Sequence, residues 1–283
     1  MAPTPDHLTQ CWRRLARSAI GLLAFLVFAI PAAQARDLVV YGEPTLAPVL
    51  ETLGALWRAS GGNRAHVFVA PTDLSFAQIE RDARCDVIFA LAGPTTDDAG
   101  RRELFDTDSK ITVFRNSLVL VGRGTTENAP APAPAQTPAA AVAGKRLAVA
   151  NPERDAAGRY GLQALRAAGV PLDANDRNLL VAESAAGVLQ MLADRKADVG
   201  IVYASDAAAH RDVTVLATFA EGSYPAIVYV AAEAANADGE SDAEGFLAFL
   251  KTPDANAAVT AAGLKPIEEP NRSGPRSRKR SAP

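Results

Sequence analysis

A chain of 283 residues in which 29 Lys and Arg face 32 Asp and Glu carries a formal charge of −3, so it offers nucleic acid no one-signed surface and implies no strongly charged partner. One of its two cysteines, Cys11, lies in the N-terminal export segment, which leaves Cys85 alone and excludes an intramolecular disulfide in the exported product. Folding must rest on apolar burial. In chain order, Arg13, Arg14 and Arg17 form a basic stretch, Ser18 to Ile30 an apolar one, and Ala33-Gln34-Ala35 a small-residue cleavage site. The apolar run is shorter than the roughly 20 residues of a bilayer-spanning helix. Residues 1–35 therefore read as a cleaved signal peptide, with export to the periplasm and Arg36 as the mature N-terminus. Cys11 precedes the apolar run, which argues against a lipid anchor.

The roughly 250 residues that follow are ample for two cores, since domains commonly run to ~100–150 residues. Leu38-Val39-Val40-Tyr41 reads as a buried strand, and Leu46 to Arg58 as a helix with Val49, Leu50, Leu53, Leu56 and Trp57 on one side. Val67-Phe68-Val69 is the next strand, Phe76 to Arg84 the next helix, and Asp86 to Ala90 a third strand. Arg115 to Val121 leads out of this first lobe. Cys85, just ahead of a buried strand, reads as core and not as a nucleophile. Residues 124–144 contain Pro130-Ala131-Pro132-Ala133-Pro134-Ala135, without apolar periodicity, and read as an extended, solvated insertion.

A second αβ set follows: strand Arg146 to Val149, helix Arg159 to Ala168 closed by Gly169, strand Leu179 to Val181, helix Ala186 to Asp194, and strand Asp198 to Tyr203. Ile227 to Ala231 can return the chain to the first lobe. Helices at Ala243 to Leu250 and Ala255 to Ala262 finish it, with Asp254 as N-cap and Gly263 as stop. The expected fold is α/β, with a mainly parallel sheet in each of two lobes and a two-crossing hinge. Lobe I would take 36–120 plus 229–266, lobe II 121–228, and 267–283 would be a basic disordered tail.

Several segments carry a family resemblance: Leu147 to Glu153, Ala157-Gly158-Arg159-Tyr160, Gly200 to Ala207, and Ala217-Thr218-Phe219. In this order and spacing the chain resembles the periplasmic molybdate-binding proteins of ABC importers, over roughly Leu38 to Pro266. The resemblance implies a type II periplasmic binding fold closing over a tetrahedral oxyanion, molybdate or tungstate. It further implies a monomer that hands this ligand to an ABC permease in the inner membrane, with no cofactor and no catalysis. The family's two serine positions fall on Thr45 and Thr72, its backbone N–H donors on Ala157 and Ala185, and its tyrosine hydroxyl on Tyr203.

Elementary chemistry agrees with that assignment. Thr45, Ala157 and Ala185 lie just before predicted helices and Thr72 on a strand-to-helix turn, where loose N–H groups and positive dipole ends can hold an anion. The chain departs from the family in Gly42-Glu43-Pro44-Thr45 and Ala70-Pro71-Thr72-Asp73, where Glu43 and Asp73 set two carboxylates beside the expected anion. Glu43, Asp73 and Tyr203 therefore define an alternative, an oxygen-rich shell for a hard, ferric-like cation in the same fold. A ligand-free interaction protein is the third reading. The motifs of metal-dependent, nucleotide-dependent and serine-nucleophile enzymes are missing.

Overall fold

The computed structural model describes residues 36–124, 137–171, 177–237 and 242–267. The expected signal peptide, the Pro130 to Ala135 run and the basic tail lie outside the described residues. Among the described residues no helix is long and apolar enough to cross a membrane.

The first half begins with β1 (Leu38–Gly42), a short 3-10 turn at Pro44–Leu46, and α1 (Ala47–Ala59). β2 (Ala65–Val69), α2 (Thr72–Ile79), β3 (Val87–Leu91), α3 (Pro94–Arg101) and β4 (Ile111–Asn116) follow. The second half holds β5 (Leu118–Arg123), α4 (Pro138–Val142), β6 (Leu147–Ala150), α5 (Ala156–Ala167), β7 (Leu179–Ala182), α6 (Ala185–Ala193), β8 (Val199–Tyr203), α7 (Ala204–Ala209) and β9 (Val213–Thr218). β10 (Ile227–Glu233), α8 (Ala243–Phe249), α9 (Pro253–Ala261) and β11 (Lys265–Pro266) return to the first sheet.

Among the described residues a six-stranded sheet has the order β11-β4-β10-β3-β1-β2 and a five-stranded sheet the order β7-β6-β8-β5-β9. The α/β architecture in two sheets is the expected one. Its strands, however, are mixed and not mainly parallel. β2, β1 and β3 run parallel, as do β7, β6 and β8, because a helix returns the chain between each pair. β10 is antiparallel to β3 and β4, and β5 to β8 and β9, because the chain passes between sheets by direct strands. One passage is the single residue Ser117 between β4 and β5; the other runs from β9 to β10.

Central strands such as Leu38–Gly42 and Val199–Tyr203 are near-continuous apolar runs because helices cover both faces. On one face of the first sheet Trp57 of α1 meets Phe246 and Phe249 of α8, with ring centroids 5.8 and 5.6 Å apart. On the other, Phe76 of α2 stacks on Phe105 beside Tyr41, Ile88 and Cys85. Cys85 is buried, its thiol pushed up by desolvation, as a core residue should be. Gly158 shows how closely α5 lies on the end of β6, for a Cβ there would come within 2.2 Å of the Ala150 carbonyl oxygen.

Two local readings need correction. The Ala/Pro insertion ends in a helix, α4, which buries Ala141 and Val142 beneath an N-cap at Thr137. The N-cap of α9 is Thr252, whose hydroxyl accepts from the Ala255 N–H, because Pro253 takes the first helical position and moves the start ahead of Asp254. The segment Arg115 to Val121 leads from the first sheet to the second as the end of β4 and the start of β5, which meet at Ser117.

Candidate functional site

The strand ends of both sheets lead into a polar cluster built mostly from backbone donors. β1 ends at Gly42, and Glu43 continues extended into the 3-10 turn that carries Thr45. The Thr45 hydroxyl donates to Asp206 Oδ1 at 2.8 Å and lies 2.9 Å from Ser205 Oγ. Asp206 Oδ2 accepts the Tyr203 N–H at 3.3 Å, across the start of α7. Burial raises the Asp206 carboxyl above its ordinary range, against the opposing bonds from Thr45 and Tyr203.

Thr72, the first residue of α2, is buried and gives both its donors to Glu43. Its N–H lies 2.8 Å from Oε1, and its hydroxyl makes a short bond to the same oxygen. The hydroxyl oxygen in turn accepts the Leu91 N–H at 3.2 Å. Burial raises the Glu43 carboxyl; the two Thr72 bonds oppose the shift, while the negative charges of Asp73 and Asp155 add to it.

In the second half Asp155 is the N-cap of α5. Its Oδ1 accepts the Ala157 N–H at 2.8 Å, and its Oδ2 reaches the Ala185 N–H, the first of α6, at 3.2 Å. Parallel pairing of β6 with β7 brings the two helix starts side by side, so one carboxylate serves both. Tyr203 ends β8, is 7 % exposed, and its hydroxyl makes no hydrogen bond among the described residues. Burial pushes its phenol well up, and the nearby Tyr229, Asp155, Asp206 and Glu43 push it further.

The structure thus sets Thr45, Thr72, Ala157, Ala185 and Tyr203 around three carboxylates, Glu43, Asp155 and Asp206. The Thr45 and Thr72 hydroxyls and the Thr72, Ala157 and Ala185 N–H groups all end on a carboxylate oxygen, whereas the Tyr203 hydroxyl does not. Asp73, by contrast, is exposed. Among the described residues no group of three or more His, Cys, Asp or Glu is placed to hold a metal ion.

Sequence reasoning missed four members. Asn116 Nδ2 donates to Ser205 Oγ at 2.9 Å, and its Oδ1 accepts the Ser117 N–H at 2.9 Å, pinning the first crossing. Asp155 stands immediately ahead of a helix, which is an N-cap signal. Asp206, three residues into a helix start, sits where a carboxylate can bond back to the N-cap N–H. For Asn116 and Ser205 the sequence carries no comparable signal.

Two mixed α/β sheets joined by two passages, with helix starts from both gathered at one polar cluster, define a two-lobe periplasmic binding protein fold. The family model for bacterial extracellular solute-binding proteins matches residues 38–265, and the chain belongs to that family. The family is one of solute binders, not an enzyme class. The chain is 29% identical to the molybdate-binding protein ModA of Escherichia coli (strain K12) over 236 residues, 82% of this chain and 90% of that protein. The solved periplasmic molybdate-binding protein of Azotobacter vinelandii superposes with a TM-score of 0.64 at 22% identity, covering 80% of this chain and 98% of that one. The tungstate-binding protein TupA of Desulfovibrio alaskensis G20 gives a TM-score of 0.58 at 11% identity, over 83% and 100%. These two likenesses are of fold.

Proposed function

We propose that this chain is an exported, periplasmic receptor that captures a tetrahedral oxyanion, molybdate or tungstate, and delivers it to an ABC permease. It would act as a monomer, without cofactor or catalysis, after loss of residues 1–35. Its lobes would be 36–120 plus 229–266 and 121–228, closing over Thr45, Thr72, Ala157, Ala185 and Tyr203. The observation that carries this reading is that neutral N–H and O–H donors from both halves already hold oxyanions, namely the carboxylates of Glu43 and Asp155. A donor set that satisfies carboxylate oxygens suits a free oxyanion equally, since charge-assisted bonds stabilise it without a fixed cation. The ligand of the Escherichia coli relative supports the choice of molybdate.

Thermal unfolding with molybdate, tungstate, sulfate or ferric ion added separately tests the assignment. A ligand at about 100 times its Kd stabilises by ~2.7 kcal/mol, which in a chain of this size raises Tm by about 5–11 °C. Molybdate and tungstate should give that rise. A rise with ferric ion alone would instead assign a cation receptor.

A further inference from the structure

The donors of the site are occupied by the chain itself, and helix capping does not require all of it. α6 has its own cap, because Ser184 Oγ accepts the Gly187 N–H at 3.3 Å, yet Asp155 reaches across from α5 to the Ala185 N–H as well. α2 has no side-chain cap at Pro71, and the distant Glu43 supplies the acceptor for its first N–H and for the Thr72 hydroxyl. Among the described residues neither carboxylate has a cation bonded to it: Arg154, next to Asp155, is spent on Glu183 at the surface, 3.1 Å away. A carboxylate presents two oxygens on one carbon, much as one edge of a tetrahedral anion does. Nearby is the hydroxyl of the buried residue Tyr203, which makes no hydrogen bond among the described residues.

We propose that Glu43 and Asp155 are built-in surrogates for the ligand's oxygens, and that an oxyanion binds by displacing them while Glu43 takes up one proton from bulk solvent. The proposal rests on the receptor reading. A dianion that takes Thr72's donors leaves Glu43 both unbonded and next to like charge. Protonation removes the repulsion and turns the carboxyl into a donor. The charged groups acting on Glu43 from the packed elements disfavour its charge, Asp73 on α2 and Asp155 ahead of α5, and only the two Thr72 bonds that the ligand would take favour it. Tyr203 of β8 and Tyr229 of β10 lie within its field, and Asp206 of α7 lies within theirs. Its folded pKa already stands above the ordinary value through burial, and the ligand raises it again. Between those two pKa values the complex holds one proton more than the free receptor. Affinity therefore falls as pH rises, up to about tenfold per pH unit, and is flat below the lower value.

The test is calorimetric titration of the chain from Arg36 with molybdate at about pH 6 and about pH 8, each in two buffers of different ionisation heat. Wild type should bind more weakly at the higher pH and take up as much as one proton per anion. Glu43→Gln should bind more tightly at high pH, with no proton uptake and no pH slope. Asp155→Asn, which keeps an N-capping oxygen, should bind more tightly and keep the slope. Binding by wild type with a flat pH profile, and unchanged affinity in both variants, removes the surrogates while leaving the receptor assignment standing. Failure of wild type and both variants to bind molybdate or tungstate at either pH overturns the receptor reading, and this proposal with it.

Discussion

Tyr203 and Thr45 differ in what they hold before any ligand arrives, and the difference separates binding from stability. The Tyr203 hydroxyl has no partner among the described residues, so Tyr203→Phe removes nothing from the unliganded fold. Urea unfolding should place its stability within about 0.5 kcal/mol of wild type. If the hydroxyl donates to the bound anion, that bond is worth about 1.5–3 kcal/mol, and calorimetry should find molybdate affinity lower by about 10- to 150-fold. Thr45 is already committed to Asp206, and the isosteric Thr45→Val would strip a buried carboxyl of its hydroxyl donor. That variant should lose ~1–3 kcal/mol, or about 2–12 °C in Tm, even without ligand. Equal denaturation midpoints for Thr45→Val and wild type would mean that the Thr45–Asp206 bond contributes nothing.

The strand starts of both sheets are tied by charged groups: in the first, Asp86 ahead of β3 accepts the Val39 N–H at 2.7 Å and Arg84 Nη2 at 3.1 Å. In the second, Arg146 and Asp198 precede the parallel neighbours β6 and β8, with Nη2 to Oδ1 at 2.8 Å and Nε to Oδ2 at 3.1 Å. The Arg146 N–H adds a third bond at 3.0 Å. These bonds hold the Asp198 carboxyl at about 2, below its ordinary 3.8. A depressed carboxylate stabilises the fold above its unfolded pKa and loses that contribution as pH falls through the folded one. Asp198→Asn should therefore melt below wild type at neutral pH, and scans at decreasing pH should see the gap close between about pH 4 and about pH 2. The parallel strands of both sheets were legible because continuous apolar runs such as Leu38 to Tyr41 and Gly200 to Tyr203 carry their own signal. α7 was not, since six Ala-rich residues directly after a strand show no helical period. The donors of the proposed site are assigned from helix starts in the sequence. Their occupants could not be, because Asp155 meets Ala185 only after β6 and β7 pair and bring two helix starts together.

At the scale of the whole molecule, each half satisfies its own share of the proposed ligand donors. Glu43 and Thr72 both belong to the first half, and Asp155, Ala157 and Ala185 to the second, so neither carboxylate bonds across. The bonds of this cluster that do cross, Thr45 to Asp206 and to Ser205, and Asn116 to Ser205, sit beside the Ser117 passage, where a hinge would turn. On the proposed lobe division, parting would leave the donors held by Glu43 and Asp155 satisfied. An anion that takes Thr72 from one side and Ala157 and Ala185 from the other replaces bonds within halves by bonds between them. Such contacts exist only when the halves are close, so ligand shifts the population toward closure. Small-angle scattering should find a smaller radius of gyration with saturating molybdate than without. Amide exchange measured on the same samples should find the Ala157 and Ala185 N–H groups protected in both states, since Asp155 holds them when the ligand does not. An unchanged radius would rule out closure, and rapid exchange of those two amides in the free protein would mean that Asp155 does not occupy their place.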